Sequence, residues 1–206
     1  RRERHILSRL EHPHIAGLID GGVSADGRPF LVMVYVEGES LLDWAQRTGA
    51  DLGRRLALFL QLCNAVAHAH RQLIVHRDIK PANILVDANG DARLLDFGIA
   101  KVLEDTDDGD HTVTSVRLMS RAYAAPEQSA GDAVTTATDI YQLGLVLFEL
   151  LSGTRHAESV DTGGGKASLR LSRARERSSN RGPARISAQQ LRGDLGVIVA
   201  RALPDA

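Results

Sequence analysis

Residues 76–83 read His-Arg-Asp-Ile-Lys-Pro-Ala-Asn, and residues 96–98, a short distance further along the chain, read Asp-Phe-Gly. Asp78, Asn83 and Asp96 fall on loops beside short apolar runs of the kind that form buried strands. Functional polar side chains concentrate on such loops. Carboxylate and amide oxygens are also the donors that Mg2+ takes together with phosphate oxygens. This stretch therefore predicts a site for a hard cation and a phosphate group.

A third motif, Ala-Pro-Glu at residues 125–127, follows the first two along the chain. In this order the three motifs resemble the catalytic loop and activation segment of eukaryotic-type protein kinases, and more closely those of bacterial serine/threonine kinases. Three spaced motifs are far more specific than any one of them alone. The resemblance covers nearly the whole chain apart from about residues 157–185. It implies an α+β, protein-kinase-like fold with a mostly helical large lobe and a remnant of the small-lobe sheet.

The resemblance implies a serine/threonine protein kinase that transfers the γ-phosphate of ATP to serine or threonine hydroxyls of a protein, with ATP and Mg2+ as cofactors. Asp78 is expected to accept or orient the proton of the substrate hydroxyl, and Lys80 to neutralise charge on the transferring phosphoryl group. A lysine at this position is typical of the serine/threonine type. Asn83 completes the catalytic set and, with Asp96, is expected to hold magnesium. Positioning and charge compensation are the help that phosphoryl transfer needs.

The same resemblance assigns the residues that contact the nucleotide. Met33 is expected at the back of the pocket, while Val34 and Val36 offer backbone groups to the edge of the adenine. Leu85 is expected to pack beneath the adenine ring. The full expected set of ATP contacts is Met33, Val34, Val36, Lys80, Leu85 and Asp96.

Regulation is implied for a further set of residues. In similar kinases the arginine at the position of Arg77 binds a phosphate on the activation segment, through charge-assisted hydrogen bonds. The candidate phosphate acceptors on this segment are Thr112, Thr114 and Ser115. Asp139 resembles the residue that braces the backbone of the catalytic loop.

Two parts of the kinase pattern are absent from this sequence. None of the 19 glycines forms a G-x-G-x-x-G motif, and no lysine precedes Lys80. Glu3 matches the helix glutamate that pairs with an ATP-positioning lysine, so it has no such partner in this sequence. We therefore expect a kinase domain truncated at both ends, with an incomplete C-terminus and impaired activity as an isolated chain.

Two regions are expected within the chain. Residues 1–36 form a partial small lobe, with a helix that carries Glu3 and two strands. Residues 37–206 form the large lobe, with a flexible insertion near residues 157–185 that is rich in glycine, serine and arginine. Apolar spacing and turn residues predict the elements. The predicted helices are 1–10, 40–47, 52–71, 138–151 and 187–203, and the predicted strands are 18–23, 30–36, 84–86 and 92–95.

Composition excludes several other classes of protein. The one cysteine, Cys63, excludes a disulfide framework, and no apolar run approaches the roughly 20 residues that a membrane helix needs. Residues 166–185 carry seven basic side chains but no aromatic ring for base stacking, so nucleic-acid binding is not expected. We expect a cytoplasmic domain that has no membrane segment and acts on a protein substrate.

Two other functions stay open from the sequence. The missing lysine and glycine-rich loop favour a non-catalytic kinase-like interaction module, that is, a pseudokinase or remnant, although the catalytic-loop residues and Asp96 are all present. The same Asp-Asn-Asp set also serves small-molecule phosphotransferases of related fold. Arg77 and the Ala-Pro-Glu motif favour a protein substrate, because they belong to a segment that presents one.

Overall fold

The computed structural model describes residues 10–26, 29–96, 121–154, 186–191 and 193–203. Most of the predicted first helix, the whole predicted insertion and the last two residues of the Asp-Phe-Gly motif lie outside these ranges. Four of the predicted regulatory residues also lie outside them, namely Glu3, Thr112, Thr114 and Ser115.

The described chain mixes helices with short antiparallel strands. The strands are β1 (Leu18–Val23), β2 (Pro29–Met33), β3 (Gly38–Ser40), β4 (Ile84–Asp87) and β5 (Ala92–Leu94). The helices are α1 (Leu41–Arg47), α2 (Leu52–Arg71), α3 (Pro126–Ala130), α4 (Thr136–Ser152) and α5 (Asp194–Ala202). Turns of 3-10 helix occur at Pro81–Asn83, Arg121–Tyr123 and Ala188–Leu191. This composition confirms the predicted α+β class.

The strands form two separate sheets. β1 and β2 make an antiparallel hairpin, and β3, β4 and β5 make a three-stranded antiparallel sheet. The prediction that the second strand continues to residue 36 is wrong. β1 begins at Leu18, which pairs with Met33, so β1 has no residue that could pair with residues 34–36. After Met33, the N–H of Val34 donates to the carbonyl of Gly17, the residue before β1, at 2.8 Å.

Helix α2 has the bounds that its sequence predicts. Asp51 caps its first turn by accepting the N–H of Arg54 at 2.8 Å. The helix ends where Leu73 adopts φ 61°, and the N–H groups of Leu73 and Ile74 then donate back to carbonyls of the last turn. Its buried face lies against β5 and helix α4, and is formed by Leu58, Leu62, Ala65, Val66 and Ala69.

Helix α4 is buried on almost every side, as its nearly continuous apolar sequence predicts. Leu143, Val146 and Leu150 belong to one core cluster, which also contains residues of α2, β4 and β5. The opposite side of the helix packs against α5 in a second cluster, through Leu145, Leu147, Phe148 and Leu151. Each such side chain contributes about 1.5–3 kcal/mol by burial. α4 is therefore a firmly held support for any loop that is bonded to it.

Several predicted boundaries need correction. α4 begins two residues earlier than predicted, because Thr135 caps it by accepting the N–H of Ala137 at 3.2 Å. The predicted helix over 187–203 is two elements, since Gly193 adopts φ 85° and interrupts it. The short elements β3 and α3 were not predicted. In the described part of the chain, no helix has both the length and the apolar character to cross a bilayer.

Candidate active site

The backbone of the catalytic loop, residues 76–83, is tied to helix α4 by Asp139. This carboxylate is fully buried, and its two oxygens accept the N–H groups of His76 at 2.9 Å and of Arg77 at 2.8 Å. Nε2 of His70, in the last turn of α2, lies 2.7 Å from Oδ2 of the same carboxylate. A buried carboxylate with three such contacts fixes the start of the loop. The structure therefore contains the brace that the sequence predicts at Asp139.

The three predicted catalytic side chains are brought together. Nζ of Lys80 lies 2.7 Å from Oδ2 of Asp78, and both side chains are about four-fifths buried. Nδ2 of Asn83 donates to the carbonyl of Asp78 at 2.9 Å and to its Oδ2 at 3.2 Å. The turn at Pro81–Asn83 makes these contacts possible, because it carries the chain back toward Asp78 before β4 begins. The carboxylate of Asp78 is thus held in one orientation by a cation and an amide.

Asp96 is placed near the same end of the sheet as Asn83. Ile84 pairs with Leu94, and the N–H of Leu95 donates to the carbonyl of Asn83 at 2.8 Å. Asp96 follows directly, with an exposed side chain and a left-handed φ of 44°. Asn83 therefore lies directly before β4, and Asp96 lies shortly after β5. The two expected metal ligands are thus found where the ends of these two strands are paired.

These residues fit Mg2+. Because Nδ2 of Asn83 is engaged by Asp78, the amide oxygen is the atom that can meet a cation. Among the described residues, no group of three or more His, Cys, Asp or Glu side chains is arranged to hold a metal alone. Mg2+ needs no such cage, since it takes one or two protein oxygens and completes its shell with phosphate and water.

His76 fixes the loop from inside the protein. Its side chain is fully buried, and burial lowers its pKa, so the ring is neutral near pH 7. Nε2 lies 2.9 Å from the carbonyl of Leu95, and Nδ1 accepts the N–H of Asp78 at 3.3 Å. These two bonds require the tautomer that carries its proton on Nε2. One neutral imidazole thus connects Asp78 to the residue that precedes Asp96.

Comparison with known proteins decides the family. The family model described as "Protein kinase domain" matches residues 1–182. The chain belongs to the protein kinase domain family.

Curated relatives carry kinase names. The kinase domain is 44% identical over 154 residues to the serine/threonine-protein kinase PrkC of Bacillus subtilis, which covers 74% of this chain. It is 34% identical over 207 residues to the serine/threonine-protein kinase PknB of Mycobacterium tuberculosis, which covers 98% of this chain. A third relative is the serine/threonine-protein kinase pkn2 of Myxococcus xanthus, 40% identical over 156 residues and 74% of this chain. The matches span 23%, 32% and 19% of the relatives' own lengths, respectively.

Two of the predicted nucleotide residues, Met33 and Leu85, lie on different sheets. Met33 ends β2, and Val34 and Val36 follow it in the link to β3. The N–H of Val34 is donated to Gly17, so its carbonyl is the backbone group that can meet the adenine. Leu85 lies in β4 and is half-buried, while its neighbours Ile84 and Val86 point into the core. Contact of these residues with ATP stays a prediction.

Arg77 is the one predicted regulatory residue within the described ranges. Its backbone has φ 70°, in the left-handed region, and its side chain is half-buried. Because the candidate phosphate acceptors lie outside the described residues, phosphate binding by Arg77 also stays a prediction.

Three residues at the site were missed from the sequence: His70, Gln128 and Gln142. His70 contacts Asp139, and the two glutamines bond each other and the catalytic loop. A signal for Gln142 was present, because it is a polar residue three positions after Asp139 and directly before the run Leu-Gly-Leu-Val-Leu-Phe at 143–148. Nothing in the local sequence indicates the partners of His70 or Gln128.

Proposed function

We propose that this chain is the catalytic region of a serine/threonine protein kinase, which transfers the γ-phosphoryl group of ATP to serine or threonine hydroxyls of a protein. The observation that carries the proposal is the meeting of Lys80 and Asn83 at Oδ2 of Asp78. This arrangement supplies the two requirements of phosphoryl transfer, an oriented acceptor for the hydroxyl proton and a positive charge beside it. The names of the relatives support serine and threonine as the acceptors.

Asp78 orients the attacking hydroxyl in this proposal. Two donors hold its carboxylate, and two backbone bonds from Asp139 hold the residues before it, so the hydroxyl meets a group that is already in place. Such positioning removes an entropic cost from the transition state. Lys80 offsets the charge of the phosphoryl group as it moves, since its ammonium lies beside the same carboxylate.

Asn83 and Asp96 are the proposed ligands of Mg2+. Bound with ATP, Mg2+ offsets the negative charge of the phosphate groups. The pairing of β4 with β5, next to Asn83 and Asp96, and the bond that fixes the amide of Asn83 against Asp78 support this assignment. The proposed ATP site is completed by Met33, Val34, Val36, Lys80 and Leu85.

The remaining assignments are part of the same proposal. Turnover of the 206-residue chain alone is slow, because the sequence has neither a lysine before Lys80 nor a glycine-rich loop. The boundary between the two lobes lies at residues 36–37, and the domain works in the cytoplasm, where ATP is available. The proposed regulatory residues are Glu3, Arg77, Thr112, Thr114 and Ser115.

The test is transfer from γ-labelled ATP with Mg2+ to peptides that offer serine, threonine or tyrosine. We expect label on serine and threonine, and a fall of about 100-fold or more in Asp78→Asn, the effect of losing a positioned general base. Asp91→Asn is the matched control, because Asp91 is also part-buried and hydrogen-bonded, to Gln61, but lies outside the loop. Transfer that survives in Asp78→Asn, or that reaches only aminoglycosides or choline offered in place of peptides, would contradict the proposal.

A further inference from the structure

Gln142 is a buried polar residue whose position is not explained by packing. It lies in α4 one turn after Asp139 and is 1% exposed, and the six residues that follow it, 143–148, read Leu-Gly-Leu-Val-Leu-Phe. Residues three positions apart share one face of a helix, so Gln142 faces the catalytic loop as Asp139 does. A buried side-chain amide is costly unless its oxygen and nitrogen are both hydrogen-bonded.

Both ends of this amide are bonded to the backbone on either side of Asp78. Oε1 of Gln142 accepts the N–H of Ile79 at 2.8 Å, and Nε2 donates to the carbonyl of Arg77 at 3.2 Å. Arg77 is the residue with the left-handed φ of 70°, a conformation that costs free energy for a residue other than glycine. The amide of Gln142 therefore helps to hold the loop in this conformation, together with Asp139.

A second glutamine, Gln128, connects the amide of Gln142 to helix α3. Gln128 directly follows the Ala-Pro-Glu motif. Oε1 of Gln128 accepts from Nε2 of Gln142 at 2.9 Å and from the N–H of Ala125 at 3.0 Å. Nε2 of Gln128 donates to the carbonyl of Arg77 at 2.8 Å. The carbonyl of Arg77 thus accepts from both glutamines, and the two amides also bond each other.

We propose that Gln142 and Gln128 are positioning residues that couple the Ala-Pro-Glu motif and the residue after it, residues 125–128, to the backbone around Asp78. When Gln128 is in place, it fixes the amide of Gln142 and supplies a second donor to Arg77. When residues 125–128 move away, Gln142 loses its partner and the backbone on both sides of Asp78 loosens. The consequence for catalysis rests on the proposed function, whereas the coupling itself is a property of the fold.

The first test is amide hydrogen exchange, measured by NMR at single residues in Gln142→Met and Gln128→Met. Methionine keeps the length of the side chain and removes the amide. Gln142→Met removes the acceptor of the Ile79 N–H, so its exchange is expected to quicken about tenfold, the effect of one ordinary hydrogen bond. The hydrogen bonds of Gln128 go to Ala125, Arg77 and Gln142, yet we expect several-fold faster exchange at Ile79 in Gln128→Met. The double variant is expected to exchange no faster than Gln142→Met.

Gln61→Met is the matched control. Gln61 is also a helical glutamine whose Oε1 accepts a backbone N–H, that of Ala92 at 2.8 Å, but it lies away from the loop. It is expected to change exchange at Ala92 and to leave Ile79 unchanged. Unchanged exchange at Ile79 in a folded Gln128→Met chain would overturn the coupling, even if Gln142→Met fails to fold.

A second measurement separates this coupling from the proposed function. If the unsubstituted chain transfers phosphate, Gln142→Met and Gln128→Met are each expected to lower its kcat several-fold with little change in the KM for ATP. A purely structural role would instead lower the amount of folded protein and leave kcat per folded molecule unchanged. Absence of transfer in the parent counts against the proposed function, whereas the exchange result decides the coupling independently.

Discussion

The β1–β2 hairpin consists of two paired antiparallel strands, with one register shift between Leu18 and Asp20, whereas residues 76–83 contain only one 3-10 turn. Burial differs in the opposite sense, because the hairpin is the more exposed of the two regions. The hairpin leaves Ile19 65%, Phe30 46% and Val32 41% exposed, while the loop is bonded to side chains that are almost fully buried. Regular secondary structure is therefore a poor guide to how firmly a part of this domain is held. The loop is fixed by tertiary contacts, and the hairpin mainly by its own backbone bonds.

This contrast separates two halves of the proposed site. The half that orients the hydroxyl and the phosphoryl group is assembled on α4, which is packed on both sides. The half that is proposed to meet the adenine begins at the end of the hairpin, at Met33. A two-stranded hairpin is marginal alone, so its order depends on the few residues that bind it to the rest of the domain. Changes in the two regions should therefore differ greatly in their effect on stability.

The largest expected effect follows from Asp139→Ala. The variant removes the acceptor of the buried His76 N–H and of the part-buried Arg77 N–H, and it removes the Asp139 carboxylate from His70. We expect the free energy of unfolding to fall by about 4 kcal/mol, measured by urea denaturation. Asp132→Ala is the control, because Asp132 is exposed, and should change little. A loss below about 1 kcal/mol in Asp139→Ala would show that the loop is not held as described.

A matched pair of substitutions tests the contrast directly. Val86 in β4 is 1% exposed and Val32 in β2 is 41% exposed, so the same change to threonine can be made in a buried and an open strand. Val86→Thr buries a hydroxyl and is expected to cost about 2 kcal/mol. Val32→Thr is expected to stay within about 0.5 kcal/mol of the parent in the same urea experiment. Equal costs would remove the distinction between the two regions.

The smallest expected effect is a gain in stability at the entrance to the loop. Leu73 has φ 61° and a side chain that is 93% exposed, so it bears the cost of a left-handed backbone without packing in return. Leu73→Gly is expected to raise the free energy of unfolding by about 1 kcal/mol. Leu73→Ala keeps the strained backbone and is expected to change little. If both variants are equally stable, φ at this position is not the source of strain.

Much of this structure could be predicted where the signal is local. The bounds of α2 follow from apolar residues at helical spacing, and they agree with the structure. Asp78, Lys80 and Asn83 lie within six residues, so their meeting needed only a turn at Pro81. α3 could not be predicted, because five residues are too few for a helical period to show.

The hydrogen-bond partners that fix residues 76–83 could not be predicted from the sequence, for a different reason. Gln142 bonds a backbone group more than 60 positions earlier, and Gln128 one about 50 positions earlier. The spacing of residues along one segment carries no information about such partners. The break at Gly193 was also missed, because a glycine is compatible with a helix until its φ is known to be positive.

We propose that the described part of this kinase domain holds an assembled site for Mg2+ and the phosphate groups of ATP. Calorimetric titration with ATP, with and without Mg2+, tests it most directly in the parent chain and in Asp96→Ala. We predict binding that depends on Mg2+ and weakens at least about tenfold in Asp96→Ala, the loss of one charged ligand, while circular dichroism shows both chains folded. A folded chain that binds no ATP under either condition, or that binds it equally well in Asp96→Ala, would contradict the account.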